Sequence, residues 1–277
     1  MYANPTPQRA CGDAPPRVAV LIPAFEAGNI LEDLVERLVG AGVPAIIVVD
    51  DGSRPERQRT FERLARQPEV HLLHHVRNLG KGMALKTGMR YFLEHLPHYT
   101  GLVTANAGGQ HSAEDVIRVA RALHKAPRLA VLGARNFDGT HGPAGLPRWT
   151  RMGNRAMVFL FRAFTGIPVT DAQTGLRGLP TTLLPRLLEL PGARYEYEMA
   201  VLLHIVRSRH PLAEQPIRTL HGESRSSQFR PIADSWRVLV TLLAPPQPGV
   251  LKPDRVAATE TATDAERASS SRTMHVK

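Results

Sequence analysis

The sequence has few of the residues that mark secreted, nucleic-acid-binding or membrane-spanning proteins. Its single cysteine, Cys11, cannot form an internal disulfide bond, so nothing indicates an oxidising compartment. Aromatic residues make up only 5% of the chain, and no zinc-finger, RNP-like or basic-helix pattern is present, which argues against nucleic acid as a partner. No apolar run approaches the roughly 18 residues of a membrane-spanning helix. The first 16 residues also lack the apolar segment of a signal peptide, so we expect a cytoplasmic protein.

Positive charge, in contrast, is abundant. The chain carries 35 Lys and Arg against 25 Asp and Glu, a formal net charge of +10. Such an excess favours phosphorylated small molecules or an anionic membrane surface as partners, and a solvated arginine-rich face is the alternative. A length of 277 residues with 43% hydrophobic content is sufficient for one large α/β domain.

Hydrophobic periodicity divides the chain into three parts. Residues 1–16 are polar and read as a flexible leader, and residues 244–277 lack apolar periodicity, which predicts a disordered tail. Within residues 17–243, buried strands such as RVAVLIP and PAIIVVD alternate with amphipathic helices, which predicts a mainly parallel sheet with helices on both faces. Ligands of such sheets bind beyond the carboxyl ends of the strands. The loops PAFEAGN, DDGS, NAGGQH and GARN are therefore the candidate site.

Two of the polar stretches in the first half suit a nucleotide. In DDGS, Asp50 and Asp51 end a buried strand and can accept hydrogen bonds from a base or a ribose; turn formation, with Ser53 capping the next helix, is the alternative. In RNLGKGMALKTGM, glycines with Lys81 and Lys86 lie at a loop-to-helix junction that favours anions. Simple helix packing explains that stretch equally well.

The stretch LVTANAGGQH, residues 102–111, bears on metal binding. Mg²⁺ and Mn²⁺ require hard oxygen ligands, usually carboxylates. Asn106 and Gln110 offer only neutral carbonyl oxygens, and Gly108 offers no side chain. A metal site built here would therefore be weak.

The second half contributes two more polar stretches. TDAQTGLRG contains Asp171 and Gln173 between apolar segments, either as part of a site or as a structural turn. RTLHGESRSSQFRP is a basic loop that could close over phosphates or remain solvated.

Taken in this order, the six stretches VLIPAF, VVDDGS, RNLGKGMALKTG, TANAGGQH, TDAQTGLRG and PIRTLHG…SSQFRP resemble family 2 glycosyltransferases. The resemblance covers about residues 17–240 and implies the GT-A fold, a Rossmann-like α/β fold. It is strongest to the branch of polyprenol-phosphate mannosyl- and glucosyltransferases, dolichol-phosphate mannose synthase among them. The resemblance implies inverting transfer of a sugar from a UDP- or GDP-sugar donor to a lipid phosphate, such as polyprenyl phosphate. A nucleotidyltransferase is disfavoured because PAFEAGN lacks a glycine run.

The resemblance also implies roles for individual residues. Asp51 would bind the base, Asp50 would support the turn, and Arg218 with the SSQFRP loop would close over the diphosphate. The implied donor-binding residues are Pro23, Phe25, Glu26, Asp50, Asp51, Lys81 with Gly82, Asn106, Gln110 and Arg218. Those implied to meet the sugar or the acceptor are Asp171, Gln173, Arg135 and one of Arg148 and Arg151.

The sequence departs from the family at the metal position, where relatives usually read D-A-D-G-Q-H. Asn106 and Gly108 replace the two acids, which leaves three hypotheses. Lysine and arginine could replace the metal. Asn106 and Gln110 could hold Mg²⁺ or Mn²⁺ weakly, together with the diphosphate. Alternatively, the chain is a catalytically inactive relative that binds a nucleotide, a lipid or a protein.

A lipid acceptor also implies contact with a membrane. Basic and apolar faces within residues 148–167 and 229–243 would support peripheral attachment at the inner face of the membrane. The alternative is that both helices belong to the core.

Overall fold

The computed structural model describes residues 17–135, 148–218, 237 and 239–243, without the side chains of 148–151. Seven strands form one sheet. They are β1 (Val18–Ala24), β2 (Ile46–Asp50), β3 (Val70–His74), β4 (Gly101–Thr104), β5 (Ala130–Arg135), β6 (Arg177–Pro180) and β7 (Leu212–Ile217). The helices are α1 (Asn29–Gly40), α2 (Gln58–Leu64), α3 (Lys81–His95), α4 (Ala113–Lys125), α5 (Arg148–Thr165), α6 (Leu184–Glu189) and α7 (Glu196–Arg207).

The order of the strands confirms the prediction of a mainly parallel α/β sheet. The order is β3-β2-β1-β4-β6-β5-β7, and every neighbouring pair is parallel except the two that involve β6. Strand β6 runs antiparallel between β4 and β5, with Val103 opposite Gly178. This is the return strand that follows the TDAQTG turn.

Helices cover both faces of the sheet, as the sequence predicted. One apolar cluster joins alternate residues of β1 and β2 to α1, α2 and α4, and the other joins the remaining residues of these strands to α3, α6 and α7. All the residues of β1 and β2 are consequently buried, which explains why these strands read as continuous apolar runs. Beside β5, the buried stripe of α5 packs against α7 in a third cluster.

The connections of the sheet determine where a ligand can bind. From β1 the chain proceeds outward to β2 and β3, and then returns to place β4 on the other side of β1. In open α/β sheets, such a reversal leaves a crevice beyond the carboxyl ends of the two central strands. The loops after β1 and β4 therefore face each other across this crevice.

Several predictions fall on parts of the chain outside the described residues. They are the flexible leader at 1–16, the tail at 244–277, the SSQFRP loop and most of the final amphipathic helix. Residues 239–243 of that helix are helical, and Leu242 packs in the third cluster.

Gly82 sets how closely α3 approaches the start of α7. A Cβ atom at this position would lie 2.8 Å from the backbone carbon of Ala193 and 2.9 Å from the backbone oxygen of Arg194. We expect Gly82→Ala to lower the free energy of unfolding by about 1–3 kcal/mol, because backbone atoms cannot rotate away. Urea denaturation measures this change.

Gly40 in α1 supplies the matched control, since a Cβ atom there would meet nothing within 4 Å. Gly40→Ala should raise the free energy of unfolding by up to about 1 kcal/mol. Equal effects of the two substitutions would contradict the close approach of α3 and α7.

Candidate functional site

A cleft of about 570 Å³ opens beyond the carboxyl ends of β1, β2 and β4. This volume lies within the usual range for small-molecule sites, about 300–1,000 Å³. Four segments distant in sequence line it: the loop after β1, the turn after β2, the start of α3 and the loop after β4, together with two residues before α7. The lining residues that the sequence predicted are Pro23, Phe25, Glu26, Asp51, Lys81, Asn106 and Gln110.

Asp51 organises the turn that leads into α3. One of its carboxylate oxygens accepts the backbone N–H of Leu79 at 2.9 Å, and the other accepts that of Gly80 at 2.8 Å. The ring of His75 also contacts this carboxylate, at 2.7 Å from Nδ1. The buried carboxylate thus fixes the backbone on one wall of the cleft, and Asp51 is among the residues that line it.

Asp50 and Ser53 tie two loops together. The Asp50 carboxylate accepts the backbone N–H of Ser53 at 3.0 Å, which closes the turn after β2. The expectation that Ser53 caps the next helix is wrong, because its hydroxyl instead accepts the backbone N–H of Glu26 at 2.8 Å. The short 3₁₀ helix at Pro55–Arg57 follows Arg54 and has no side-chain cap. The Ser53 hydroxyl is therefore bound to the loop after β1 and does not cap the 3₁₀ helix.

Glu26 adds a second link between these loops. Its carboxylate accepts the backbone N–H of Arg54 at 2.9 Å and the Arg54 guanidinium at 3.0 Å. The hydrogen bond from the Arg54 side chain is the main cause that holds the pKa of Glu26 below its usual value. Glu26 also has φ of 54°, in the left-handed region that non-glycine residues rarely occupy. Several contacts thus hold a strained loop at the mouth of the cleft.

Lys81 lies where the first and second halves of the chain meet. Its ammonium donates to Oδ1 of Asn106 at 2.8 Å and to Oε2 of Glu198 at 2.8 Å. It also lies 5.5 Å from the centre of the Tyr195 ring. The amide oxygen predicted to bind a metal is therefore already bound to a cation of the protein itself.

Gln110 lines the cleft, and His111, the next residue, is buried; both have polar atoms without hydrogen-bond partners among the described residues. These buried atoms are Oε1 of Gln110 and both ring nitrogens of His111. Burial, followed by the charges of Lys81 and Arg135, lowers the pKa of His111 from 6.5 to about 3. The imidazole is therefore neutral at physiological pH.

Asp171 and Arg135 form an ion pair, and neither residue lines the cleft. The guanidinium Nε lies 2.6 Å from one carboxylate oxygen and Nη2 lies 3.0 Å from the other. Burial lowers the pKa of Arg135, but the charge of Asp171, its hydrogen bond and the charge of Glu198 together outweigh burial, and the net shift is upward. Asp171 is fully buried and also accepts the backbone N–H of Gln173. Its carboxylate positions Arg135 and does not face the cleft.

The described residues do not fit a divalent metal. They contain no group of three or more His, Cys, Asp or Glu side chains that could hold one. At the position where relatives place two acids, the Asn106 oxygen accepts from an ammonium and Gly108 has no side chain. The Oε1 atom of Gln110 is the one unengaged oxygen of this predicted set, and a single neutral ligand is too few for Mg²⁺ or Mn²⁺.

Some predicted residues lie away from the cleft. Gln173 is exposed beside Asp171, and Arg218 is exposed at the end of β7, where its backbone N–H donates to Asp115 of α4. The side chains of Arg148 and Arg151 are outside the described residues.

Sequence reasoning also missed residues of the cleft. Arg54, Arg57, Asn78, Arg194 and Tyr195 line it, and Glu198 binds Lys81 beside it. The two glutamates in EYEMAVLLHIVR were the available signal, because they interrupt an otherwise apolar helix start.

The buried His111 should make the stability of the fold depend on pH. Below pH 6.5 the unfolded chain protonates this ring, whereas the folded chain keeps it neutral down to about pH 3. The free energy of unfolding should therefore fall as pH decreases through this window, by at most about 1.4 kcal/mol per pH unit for this group. Urea denaturation at pH 7 and pH 5 should show a smaller decrease for His111→Leu. An equal decrease would mean that the folded ring already carries a proton at pH 5.

Three of the curated relatives that this chain resembles are named for transfer to lipid phosphates. A UDP-N-acetylglucosamine–dolichyl-phosphate N-acetylglucosaminyltransferase of Methanococcus voltae is 25% identical over 82% of this chain and 94% of its own length. An undecaprenyl-phosphate mannosyltransferase of Micrococcus luteus is 29% identical over 76% and 88%. A polyprenol monophosphomannose synthase of Mycolicibacterium smegmatis is 26% identical over 73% and 76%.

Among solved structures, glucosyl-3-phosphoglycerate synthase of Mycobacterium tuberculosis has a similar fold. The TM-score is 0.60 at 18% identity, over 82% of this chain and 78% of that one. That structure contains Mn²⁺, UDP and glucosyl-3-phosphoglycerate. At this identity the likeness concerns the fold alone, which is the GT-A type expected from the sequence.

The match to a family covers more than half of the chain. Residues 19–179, from β1 to the end of β6, match the family described as Glycosyl transferase family 2. This segment contains the loops after β1, β2 and β4 and the start of α3, which form most of the cleft. The chain is a member of glycosyltransferase family 2.

Proposed function

We propose that this protein transfers a sugar from a UDP- or GDP-sugar to a polyprenyl phosphate, with inversion at the anomeric carbon. The cleft beyond β1 and β4 is the observation that carries the proposal, because a family 2 fold and a basic, strand-end cleft coincide there. The relatives support the choice of acceptor, since three of them are named for dolichyl, undecaprenyl or polyprenol phosphates.

The lining of the cleft suits a nucleoside diphosphate. Cationic side chains from three segments reach it, namely Arg54 and Arg57 after β2, Lys81 on α3, and Arg194 before α7. Phe25 and Pro23 provide apolar surface near Asp51, as a base and ribose require. In this arrangement the nucleoside lies against the loop after β1 and the diphosphate lies towards Lys81.

The chemistry requires little proton transfer. A phosphate monoester is largely ionised at neutral pH, so an oxygen of the lipid phosphate can attack the anomeric carbon directly. The bond from that carbon to the donor diphosphate breaks, and its electron pair leaves with the nucleoside diphosphate. The protein has to align the two substrates and stabilise the leaving diphosphate. A buried, ion-paired Asp171 is consistent with this, because the mechanism needs no free carboxylate as a base.

Helix α5 supplies the surface that a membrane-bound acceptor needs. Its buried stripe includes Met157 and Phe161, yet Met152, Phe159 and Phe164 on other sides are 69%, 71% and 52% exposed. Arginines at 155 and 162 are also exposed, and the helix contains no acidic residue. An apolar and cationic surface of this kind is complementary to an anionic bilayer. Among the described helices, none has the length and hydropathy of a bilayer-spanning segment.

The transfer reaction can be tested directly. Purified protein is incubated with radiolabelled UDP- or GDP-hexoses and polyprenyl phosphate, and the organic phase is extracted. We expect label in the lipid fraction and release of one equivalent of nucleoside diphosphate per sugar transferred. A parallel reaction with 3-phosphoglycerate tests a soluble acceptor. Transfer to that acceptor alone would contradict a lipid acceptor, and no transfer to either would favour the inactive relative.

Attachment to the membrane can be tested on α5. We expect Phe159→Ser combined with Phe164→Ser to weaken binding to phosphatidylglycerol vesicles at least about tenfold, because two large apolar side chains no longer enter the bilayer. Co-sedimentation measures the effect, with phosphatidylcholine vesicles as the uncharged comparison.

Val76→Ser is the matched control, because Val76 is fully exposed on the loop after β3. This variant should bind as the wild type does. If the α5 variant instead dissociates a dimer of the wild-type protein, the surface serves a second copy of the chain.

A further inference from the structure

We propose that the ammonium of Lys81, held by Asn106 and Glu198, binds the diphosphate of the donor in place of a divalent cation. This inference rests on the proposed function, since it concerns the same nucleotide site. Its starting point is that Asn106 and Gly108 stand where members of the family usually have two acids. The described residues form no divalent metal site, whereas a cation of the protein itself lies at the position of the missing acids.

The position of Lys81 suits an anion. It is the first residue of α3, a helix of 15 residues, whose amino-terminal end carries partial positive charge towards the cleft. The ammonium is fixed from two sides, by Asn106 and Glu198 at 2.8 Å each. An ammonium has three N–H donors, so two anchoring bonds leave one donor for a phosphate oxygen.

The neutral side chain of Asn106 keeps this ammonium available. With a carboxylate at 106, Lys81 would be flanked by two anions, and the group of three would carry a net negative charge that repels diphosphate. With the amide, Lys81 and Glu198 balance each other, and Asn106 contributes only an oriented oxygen. Gly175 makes room for this amide, because a Cβ atom there would lie 2.4 Å from Oδ1 of Asn106.

Charged groups that interact with Lys81 and with one another strengthen the preference for an anion. Three cations, Lys81, Arg135 and Arg177, interact with two anions, Asp171 and Glu198. The sum is three positive and two negative charges, or +1. Arg177 and Asp171 are buried in the low-dielectric interior, where solvent screens charge poorly. An anionic ligand in the cleft balances this excess.

Gly108 also keeps negative charge out of the cleft. It lines the cleft two residues after Asn106 and has no side chain. An acid at this position would bring a second negative charge next to the bound phosphates. Both departures from the family pattern therefore remove negative charge from the place where an ammonium now lies.

Calorimetric titration of UDP and GDP tests the inference, first with EDTA and then with Mn²⁺. We expect the preferred nucleotide to bind the wild-type protein with dissociation constants within about threefold of each other in the two conditions. Lys81→Met should weaken diphosphate binding in EDTA at least about tenfold, because a charge-assisted hydrogen bond is lost. Binding of the matching nucleoside monophosphate should change much less, since it lacks the second phosphate. A general loss of structure would weaken both ligands equally.

Lys125→Met is the matched control, because Lys125 is exposed at the far end of α4 and outside the cleft. It should leave all the dissociation constants unchanged. A second variant, Asn106→Asp with Gly108→Asp, keeps Lys81 and restores the family's acids. We expect it to bind diphosphate poorly in EDTA and to recover binding with Mn²⁺, a dependence absent from the wild type.

The outcomes separate the inference from the proposed function. Nucleotide binding that requires Mn²⁺, or that survives Lys81→Met unchanged, overturns the inference and leaves a metal-dependent transferase. Binding in EDTA that is lost with Lys81→Met supports it, even if the transfer assay finds no product and the transferase proposal fails. No binding of UDP or GDP in either condition overturns both.

Discussion

The ion pair between Lys81 and Glu198 joins parts of the chain that are 117 residues apart. Lys81 belongs to the segment that matches the family, whereas Glu198 lies in α7, beyond its end at residue 179. The contact forms because Gly82 lets α3 approach the residues before α7 closely. Residues 19–179, which match the family, provide most of the cleft, and α7 provides Glu198, which fixes the Lys81 ammonium.

The sheet explains why the polar groups gather at one edge. Strands β1 and β2 are buried on both faces, so their side chains cannot be polar until the strands end. At those ends the carboxylates of Asp50 and Asp51 accept hydrogen bonds from backbone N–H groups that have no backbone partner in the turns. A buried parallel sheet thus concentrates both the polar groups that stabilise its turns and those of its candidate site beyond the carboxyl ends of its strands.

The sequence predicted the features that depend on local pattern. Continuous apolar runs indicated β1 and β2, and the polar turns after them indicated the cleft, since both follow from burial and strand ends. The sequence pattern did not predict which side chains pair between distant segments. Ser53 looked like a helix cap, but the competing N–H of Glu26 is 27 residues away. The resemblance implied that Asp171 meets the sugar or the acceptor, but Arg135 binds both of its oxygens. A side-chain partner is chosen by tertiary proximity, which residue type and spacing do not encode.

The geometry of the site changes the interpretation of Asn106 and Gly108, which replace the two acids of the family. From the sequence alone, Asn106 and Gly108 looked like damage to a metal site, because an isolated amide and a glycine are poor ligands for Mg²⁺. In the structure, the amide is a partner of an ammonium, and an acid in its place would neutralise that charge. A site that uses a lysine needs a neutral side chain at residue 106, whereas a site that uses a metal needs a negative one. If Lys81 binds the diphosphate as we propose, the same substitution that weakens metal binding favours phosphate binding by the protein, and loss of the acids does not by itself imply loss of activity.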